Sequence, residues 1–438
     1  MKYGWQPGNG TVIKSLFNIK EYKMRAEIKN RIEQIRQGKV PAGYKKAGGE
    51  IFPGDWTTAS IETLYTERKE SGQEGLPVLS VSIHSGVSDK SLDKTERGKE
   101  IKRIEDKTQY KKVYPGDLIF NMMRAWQGGI GVASVQGQVS PAYIVAQPND
   151  SIFPYYMNYY MKMPQMIGKL QRRSYGVTDF RLRLYWKSFV TIMCHLPDLR
   201  EQKCIAAILE TQDRVIALRE KLLAEKLRQK QYLMQVLLTG KKRLPGFSEP
   251  WKEVKLGDVF SERTETNHPE LELLAITGTK GVIPRNQLDL KDNSSEDKSK
   301  YLKIGVGDIG YNTMRMWQGV SAYSNYEGIV SPAYTILKPN GRNHARFFAY
   351  LFKLPEIIFL FYRYSQGLVD DTRNLKYSNF KKIRVKCPVN EKEQMAIADI
   401  LVIVDREINL LKQELEEERR KKKALMQLLL SGIVRVKP

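Results

Sequence analysis

The sequence predicts a mixed α/β protein made by internal repetition: two globular domains joined by two long antiparallel coiled-coil helices, with a pseudo-two-fold relation between the halves. Three observations carry that prediction. A long block of sequence occurs twice, two extended stretches carry heptad spacing, and short apolar runs broken by Gly and Pro fill the remainder.

The repeat decides the architecture. Gly116 to Val145 lies over Gly307 to Ile336 without a gap, sharing Asn121 with Asn312, Trp126 with Trp317, and Ser140-Pro141-Ala142-Tyr143 with Ser331-Pro332-Ala333-Tyr334. Upstream, Trp56 matches Trp251 and Glu67-Arg68 matches Glu262-Arg263; downstream, Ser174 and Gly176 match Ser365 and Gly367. The register continues through Pro197 and Pro388 into helical stretches from Glu201 to Thr239 and from Glu393 to Ser431. Each ends in a glycine, Gly240 or Gly432, as a helix C-cap would.

These features divide the chain into six parts: a leader with a short helix (1–49), a first domain (50–198), a first spacer helix (199–240), a second domain (241–389), a second spacer helix (390–432) and a tail (433–438). Within the domains, Lys112 to Met122, Val139 to Val145 and Ile329 to Leu337 read as strands, and Tyr155 to Leu170 and Ala345 to Tyr362 as helices. In the leader, the helical run Ile19 to Gln37 ends in Gly38 and leads to Trp56, as the middle helix ends in Gly240 and leads to Trp251. The chain therefore reads as a ring of repeating parts cut open partway through a helix.

In the spacer stretches Leu209, Ile216, Leu223, Lys230 and Leu237 recur every seventh residue, as do Leu401, Ile408, Leu415, Lys422 and Leu429. This is a coiled-coil seam. Helices of this length outrun a small domain and need each other, although packing of each on its own domain is the plainer alternative. The lysines Lys230 and Lys422 interrupt the seam, as does Lys226, whose equivalent position in the second helix is Glu418, and read either as register marks or as a docking surface. The run Glu416 to Lys423 reads as a solvated helix face rather than a nucleic-acid contact.

With 438 residues the chain fits two or three domains. Seventy-two Lys and Arg against 49 Asp and Glu give a formal charge of +23, which suits a polyanion, nucleic acid before a membrane surface. No stretch approaches the roughly 18 apolar residues that span a bilayer, and the N-terminus lacks a signal-peptide pattern, so a soluble intracellular protein is expected. Three cysteines (Cys194, Cys204, Cys387) without CxxC spacing and four scattered histidines predict neither a disulfide framework nor a metal site.

Contacts to phosphate call for exposed Lys and Arg, and readout of bases for Arg, Asn and Gln at fixed geometry. Three regions of each copy supply them. The first is the loop carrying Lys90, Lys94, Arg97, Lys102 and Arg103, and in the second copy Lys280, Arg285 and Asn286; these loops diverge almost completely, as two readers of different sequences would, and as drift in an unimportant loop would too. The second is Arg172, Arg173, Ser174 and Tyr175 with Arg181, Arg183 and Lys187, against Arg363, Tyr364, Ser365 and Gln366 with Arg373 and Lys376. The third is the shared MRxWQG block, where Arg124, Gln127, Arg315 and Gln318 are candidates; its identity between copies argues for scaffold or a shared phosphate contact, and for scaffold at Trp126 and Trp317.

Catalytic patterns fail on inspection. Gly305 to Gly310 spells GxGxxG but leads into a strand where a dinucleotide site needs a helix. Pro197-Asp198 followed by Glu201 and Lys203 imitates a metal-nuclease signature, yet the carboxylates crowd a helix start that favours them anyway, so they read as a cap. There is no Walker A loop and no NPPY-like methyltransferase tetrad.

Across its length the sequence resembles the specificity (S) subunit of Type I restriction-modification enzymes. The resemblance rests on the repeated MRAWQGG to SPAYIV block, the Ser-x-Gly turn, the Pro then Glu-Gln start of each helix, and the helix ending MQVLLTGKKRLPGF. It implies a non-catalytic chain with two target-recognition domains, each reading half of a bipartite target in double-stranded DNA, and paired helices that set the gap and hold two methyltransferase (M) subunits. It further implies two restriction (R) translocase-nuclease subunits, with S-adenosylmethionine, ATP and Mg2+ all on the partners and none on this chain. The fifty-residue leader departs from that pattern. A free-standing DNA-binding or architectural protein is the alternative reading, and one whose helical seam would have to satisfy itself.

Overall fold

The computed structural model describes residues 26–83, 86–88, 107–178, 181–278, 280–288, 297–341, 343–369 and 372–436. The candidate residues Lys90, Lys94, Arg97, Lys102 and Arg103 lie outside them. The chain divides into two compact units, Met1–Leu218 with Glu416–Pro438, and Arg219–Leu415.

The first unit is organised on a four-stranded antiparallel sheet in the order Tyr65–Glu67, Tyr143–Pro148, Leu118–Asn121, Ile130–Val132. Alternation sends successive side chains to opposite faces. Leu118 and Phe120 enter a core shared with the helices Pro154–Tyr160, Pro164–Arg172 and Trp186–Phe189, while Ile119 points into a smaller core with Leu79, Val113 and Val139. Both faces are buried, so the strand reads as a continuous apolar run. The second unit repeats the plan with Phe260–Arg263, Tyr334–Pro339, Ile309–Asn312 and Ser321–Tyr323. There Gly310 stands where the first unit has Ile119, and Ile276 occupies the space a side chain would need.

Several expected elements are split by their own turn residues. Lys112 to Met122 becomes Lys111–Val113 and Leu118–Asn121, divided at the turn before Gly116, which has φ 95°. Val139 to Val145 and Ile329 to Leu337 each break at the Ser-Pro-Ala turn. The two domain helices break before Pro164 and Pro355, because a proline inside a helix removes a donor and clashes with the preceding turn.

The long helices run Leu199–Leu237 and Glu391–Leu430. Asp198 accepts the backbone N–H of Glu201 at 2.8 Å, so the carboxylate beside Pro197 is a helix cap. Leu209, Leu237, Leu401, Ile408, Leu415 and Leu429 are buried. The seam lysines end in ion pairs. Within the first unit, Lys422 meets Asp213 at 2.5 Å; within the second, Lys230 meets Asp405 at 2.6 Å. In the second unit Lys226 meets Glu407 and Lys230 meets Asp405, so partner numbers fall as the first helix advances and the helix segments there are antiparallel. Lys226 binds Glu407, and Glu418, its equivalent in the repeat, accepts from Gln212.

Candidate nucleic-acid interface

Each unit ties its globular part to the long helices through the same residues. The buried glutamine of the Glu-Gln pair, Gln202 or Gln394, donates to the carbonyl of Pro197 or Pro388 and accepts the N–H of Phe153 or His344, each at 2.8–2.9 Å. The glutamate beside it is buried too and is held by an arginine that follows a helix-ending glycine. Arg243 grips Glu393 at 2.7 and 2.9 Å, and Arg435 grips Glu201 at 2.8 and 2.7 Å while also holding Asp55. A tryptophan lies beneath each arginine, Trp251 or Trp56, packed against Gly240 or Gly432, whose φ values are 70° and 69°. The tail thus does for the first unit what the stretch after Gly240 does for the second.

A second repeated tie joins three side chains. Tyr159 donates to Asp213 at 2.7 Å and Asp213 holds Lys422; Tyr350 donates to Asp405 at 2.7 Å and Asp405 holds Lys230. In the second unit this tie borders a cleft of about 610 Å³ lined by Arg346, Lys353 and Arg406 besides Lys230 and Asp405. Lys353 donates to the carbonyls of Gly319 and Ser321, and burial beside Lys230 lowers its pKa to about 8. Tyr159, Tyr350, Asp213, Asp405, Arg243 and Arg435 were absent from the sequence-level candidates, although each occupies matching places in the repeat.

The MRxWQG block is a turn locked from within. Asn121 accepts the N–H of Met123, and Trp126 donates to the carbonyl of Met123; Asn312, Met314 and Trp317 repeat both bonds. Arg124 is exposed and donates to Gln127 at 3.0 Å, and Arg315 and Gln318 are exposed. The formal GxGxxG belongs to a tight turn: Asp308 accepts the N–H of Gly305 and pairs with Arg263, as Asp117 does with Tyr114 and Arg68.

The second candidate region forms a hairpin in each unit. Backbone bonds pair Tyr175 with Arg183 and Gln366 with Asn374 at 2.8–2.9 Å, and Leu184 and Leu375 anchor the return strands to Met122 and Thr313. A Cβ at Gly176 would lie 2.5 Å from the carbonyl oxygen of Arg181, and one at Gly367 would lie 2.6 Å from that of Thr372, so only glycine fits the crossing. The hydroxyls of Ser174 and Ser365 are spent on the carbonyls of Leu170 and Phe361 and serve to stop the preceding helix. Arg172, Arg173, Tyr175, Arg181, Arg183 and Lys187 are at least partly exposed in the first unit, and so are Arg363, Tyr364, Gln366 and Lys376 in the second. Arg373 carries its guanidinium 4.1 Å from the Tyr362 ring centre and bonds the Tyr362 hydroxyl.

The first candidate region is described only in the second unit. Lys280 is exposed at the turn between Leu274–Thr277 and Gly281–Pro284. Arg285 is half-buried and Asn286 exposed in the single helical turn that follows.

Among the described residues no three His, Cys, Asp or Glu side chains converge as a metal site would require. Burial pushes the Cys194 and Cys387 thiols up to about 12, where a thiolate does not form at neutral pH. Among the described residues no helix is long and apolar enough to cross a membrane.

Comparison with known proteins agrees with this geometry. A profile of the Type I restriction modification DNA specificity domain matches residues 248–418. The MjaX type I restriction enzyme specificity subunit of Methanocaldococcus jannaschii is 24% identical, over 90% of this chain and 97% of its own length. Two solved chains share the fold. One, from work on complex assembly and conformational transition of the type I restriction-modification system, has a TM-score of 0.52 at 16% identity, covering 87% of this chain and 99% of its own. The other, the S subunit of the type I system of M. genitalium, has a TM-score of 0.51 at 14% identity, covering 85% and 96%. With the repeated ties, the specificity-domain match over residues 248–418 and a relative aligned along almost its whole length, this chain is similar to the specificity subunits of Type I restriction-modification systems.

Proposed function

We propose that the two units are target-recognition domains, each reading one half of a bipartite, asymmetric target in double-stranded DNA, and that the two long helices form an antiparallel coiled coil that sets the unread gap. The observation that carries this reading is the contrast between repeated ties and unrepeated faces. Glu–Arg and Tyr–Asp–Lys ties recur in both units, whereas the exposed residues around the hairpins differ.

Docking of two methyltransferase subunits on the helices is supported by leucines and isoleucines off the seam. Leu222, Ile403 and Leu410 are 46%, 54% and 59% exposed in the second unit, and Leu218 is 67% exposed in the first. In this reading S-adenosylmethionine sits on the methyltransferases, ATP and Mg2+ on two restriction subunits, and the assembly works in the cytoplasm.

The test is methylation mapping in cells expressing this chain with its methyltransferase. Replacing residues 50–198 by another recognition domain is expected to change one half of the target and leave the other. A change in both halves overturns the two-reader proposal. Lengthening both helices by about seven residues between their ties adds about 10 Å, close to 3 base pairs of gap, because a helix rises 1.5 Å per residue and a duplex 3.4 Å per pair. An unchanged gap overturns the ruler.

A further inference from the structure

The hairpins of the two units hold apolar side chains away from the protein. Val177 is 96% exposed and Leu368 is 100% exposed, each one residue beyond the glycine of the crossing. Single exposed apolar residues are ordinary on a protein surface. These two differ in two shared respects, since they occupy the same place in both copies and sit on a support pinned by paired backbone bonds, and the first also stands in a strongly basic segment. Residues 172–187 hold four Arg and one Lys against one Asp, and residues 363–379 hold two Arg and one Lys against two Asp. The supporting contacts hold whichever apolar residue follows the glycine, so the fold does not select Val over Leu there.

Resting on the recognition reading above, we infer that Val177 and Leu368 are apolar probes that press against base edges of duplex DNA, one in each half-site, while the flanking arginines hold the backbone. An apolar side chain packs against a thymine methyl or into an opened base step and gains nothing from a phosphate. The chain's formal charge of +23 brings a polyanion to its surface, and the rigid crossing spares the entropy of ordering the loop on contact. The different side chains, Val and Leu, suit two different half-sites.

The experiment uses the full assembly of this chain with its methyltransferase, the duplex carrying the target mapped by methylation, and an unrelated duplex of equal length. Binding is measured across a salt series for wild type, Val177→Ser and Leu368→Ser. Each variant is expected to bind the mapped duplex roughly tenfold more weakly or worse, since burying such a side chain accounts for at least that factor. Binding to the unrelated duplex and the salt slope stay as in wild type, because no phosphate contact is lost. Replacing thymines by uracil in one half-site should weaken wild type and leave the matching Ser variant with no further loss. Unchanged affinity for the mapped duplex overturns the inference, as does an equal loss on both duplexes, or lost methyltransferase assembly with DNA binding intact. A wild-type assembly that does not prefer the mapped duplex overturns the recognition reading as well, which separates the two failures.

Discussion

The two units keep their interior ties and differ on the face beside the hairpin. On the helix before the hairpin, the first unit places Gly168, Gln171 and Arg173 where the second places Phe359, Tyr362 and Tyr364. The second unit's rings are organised: Tyr362 stacks on Phe359, meets Trp317 edge-on and carries Arg373 on its face. The first unit offers guanidinium groups in open solvent, and the second offers aromatic surface with a fixed guanidinium. A duplicated scaffold that keeps its joints can remake one surface, because the joints do not depend on that surface.

The largest effects are expected at the Glu–Arg clamps. Removing one partner of a buried pair leaves an uncompensated carboxylate, which costs about 3–5 kcal/mol. Arg243→Ala strands Glu393, and Arg435→Ala strands Glu201 and releases Asp55 as well. Urea unfolding of both variants should show large losses, with Arg435→Ala at least as damaging. A mild effect of Arg435→Ala alone would mean that the tail does not close the first unit as the internal stretch closes the second.

The next contrast is in pH dependence. Burial depresses the pKa of Lys353 to about 8, helped by Lys230; burial depresses Lys162 as well, Lys422 lowers it further, and Asp213 pulls that ammonium back toward its charged form. Between about pH 8 and the unfolded value near 10.4, the unfolded chain holds a proton that the folded lysine lacks, so stability rises with pH across that window. Relative to Lys353→Met, wild type should gain on the order of 2 kcal/mol from pH 8 to 10.4, because one proton bound more by the unfolded chain is worth about 1.36 kcal/mol for each pH unit crossed. Relative to Lys162→Met the gain should be smaller. Equal gains would remove the distinction between the two sites.

The repeat, the heptads, the capping glycines and the Pro-Glu-Gln signature were legible in the sequence because each is a local pattern with one physical cause. The ends of strands and helices were less so: an apolar run such as Lys112 to Met122 does not reveal that the turn before Gly116 divides it. Which glutamate meets which arginine is a long-range fact. Glu201 and Arg435 are far apart in the chain, and no spacing rule joins them; only their equivalence to Glu393 and Arg243 does. The seam lysines showed as interruptions, but their partners Asp213 and Asp405 look like ordinary helix-surface residues until the second helix is present. The serines of the Ser-x-Gly turns read as base contacts in the sequence, yet their hydroxyls end the preceding helices.

The hairpin glycines should separate folding from reading. Gly176→Ala and Gly367→Ala put a Cβ against a backbone carbonyl, which cannot move without breaking the Tyr175–Arg183 or Gln366–Asn374 pairing. The cost to global unfolding should be about 1–2 kcal/mol, in the range of overpacking. Hydrogen exchange should rise at Tyr175 and Arg183 in one variant, at Gln366 and Asn374 in the other, and nowhere else. Exchange that spreads into the four-stranded sheet would show that the hairpin is part of the core and not a separable reading device.

The smallest effect is expected between two lysines one turn apart on the first long helix. Lys230 belongs to a tie that recurs in the first unit through Lys422, whereas Lys226 binds Glu407, and the residue equivalent to Glu407 is Val215. A half-exposed ion pair without further partners contributes about 0.2–1 kcal/mol. Lys226→Ala should therefore fall at the bottom of that range. Lys230→Ala should exceed it, because it also removes the contact of the Lys230 ammonium with the Tyr350 ring and leaves Asp405 with the Tyr350 hydroxyl. Urea midpoints of the single variants and of each with its acidic partner replaced give the two coupling energies. If Lys226 couples as strongly as Lys230, retention of a contact in both copies is no guide to its weight, and the division between kept joints and remade surface loses its energetic basis.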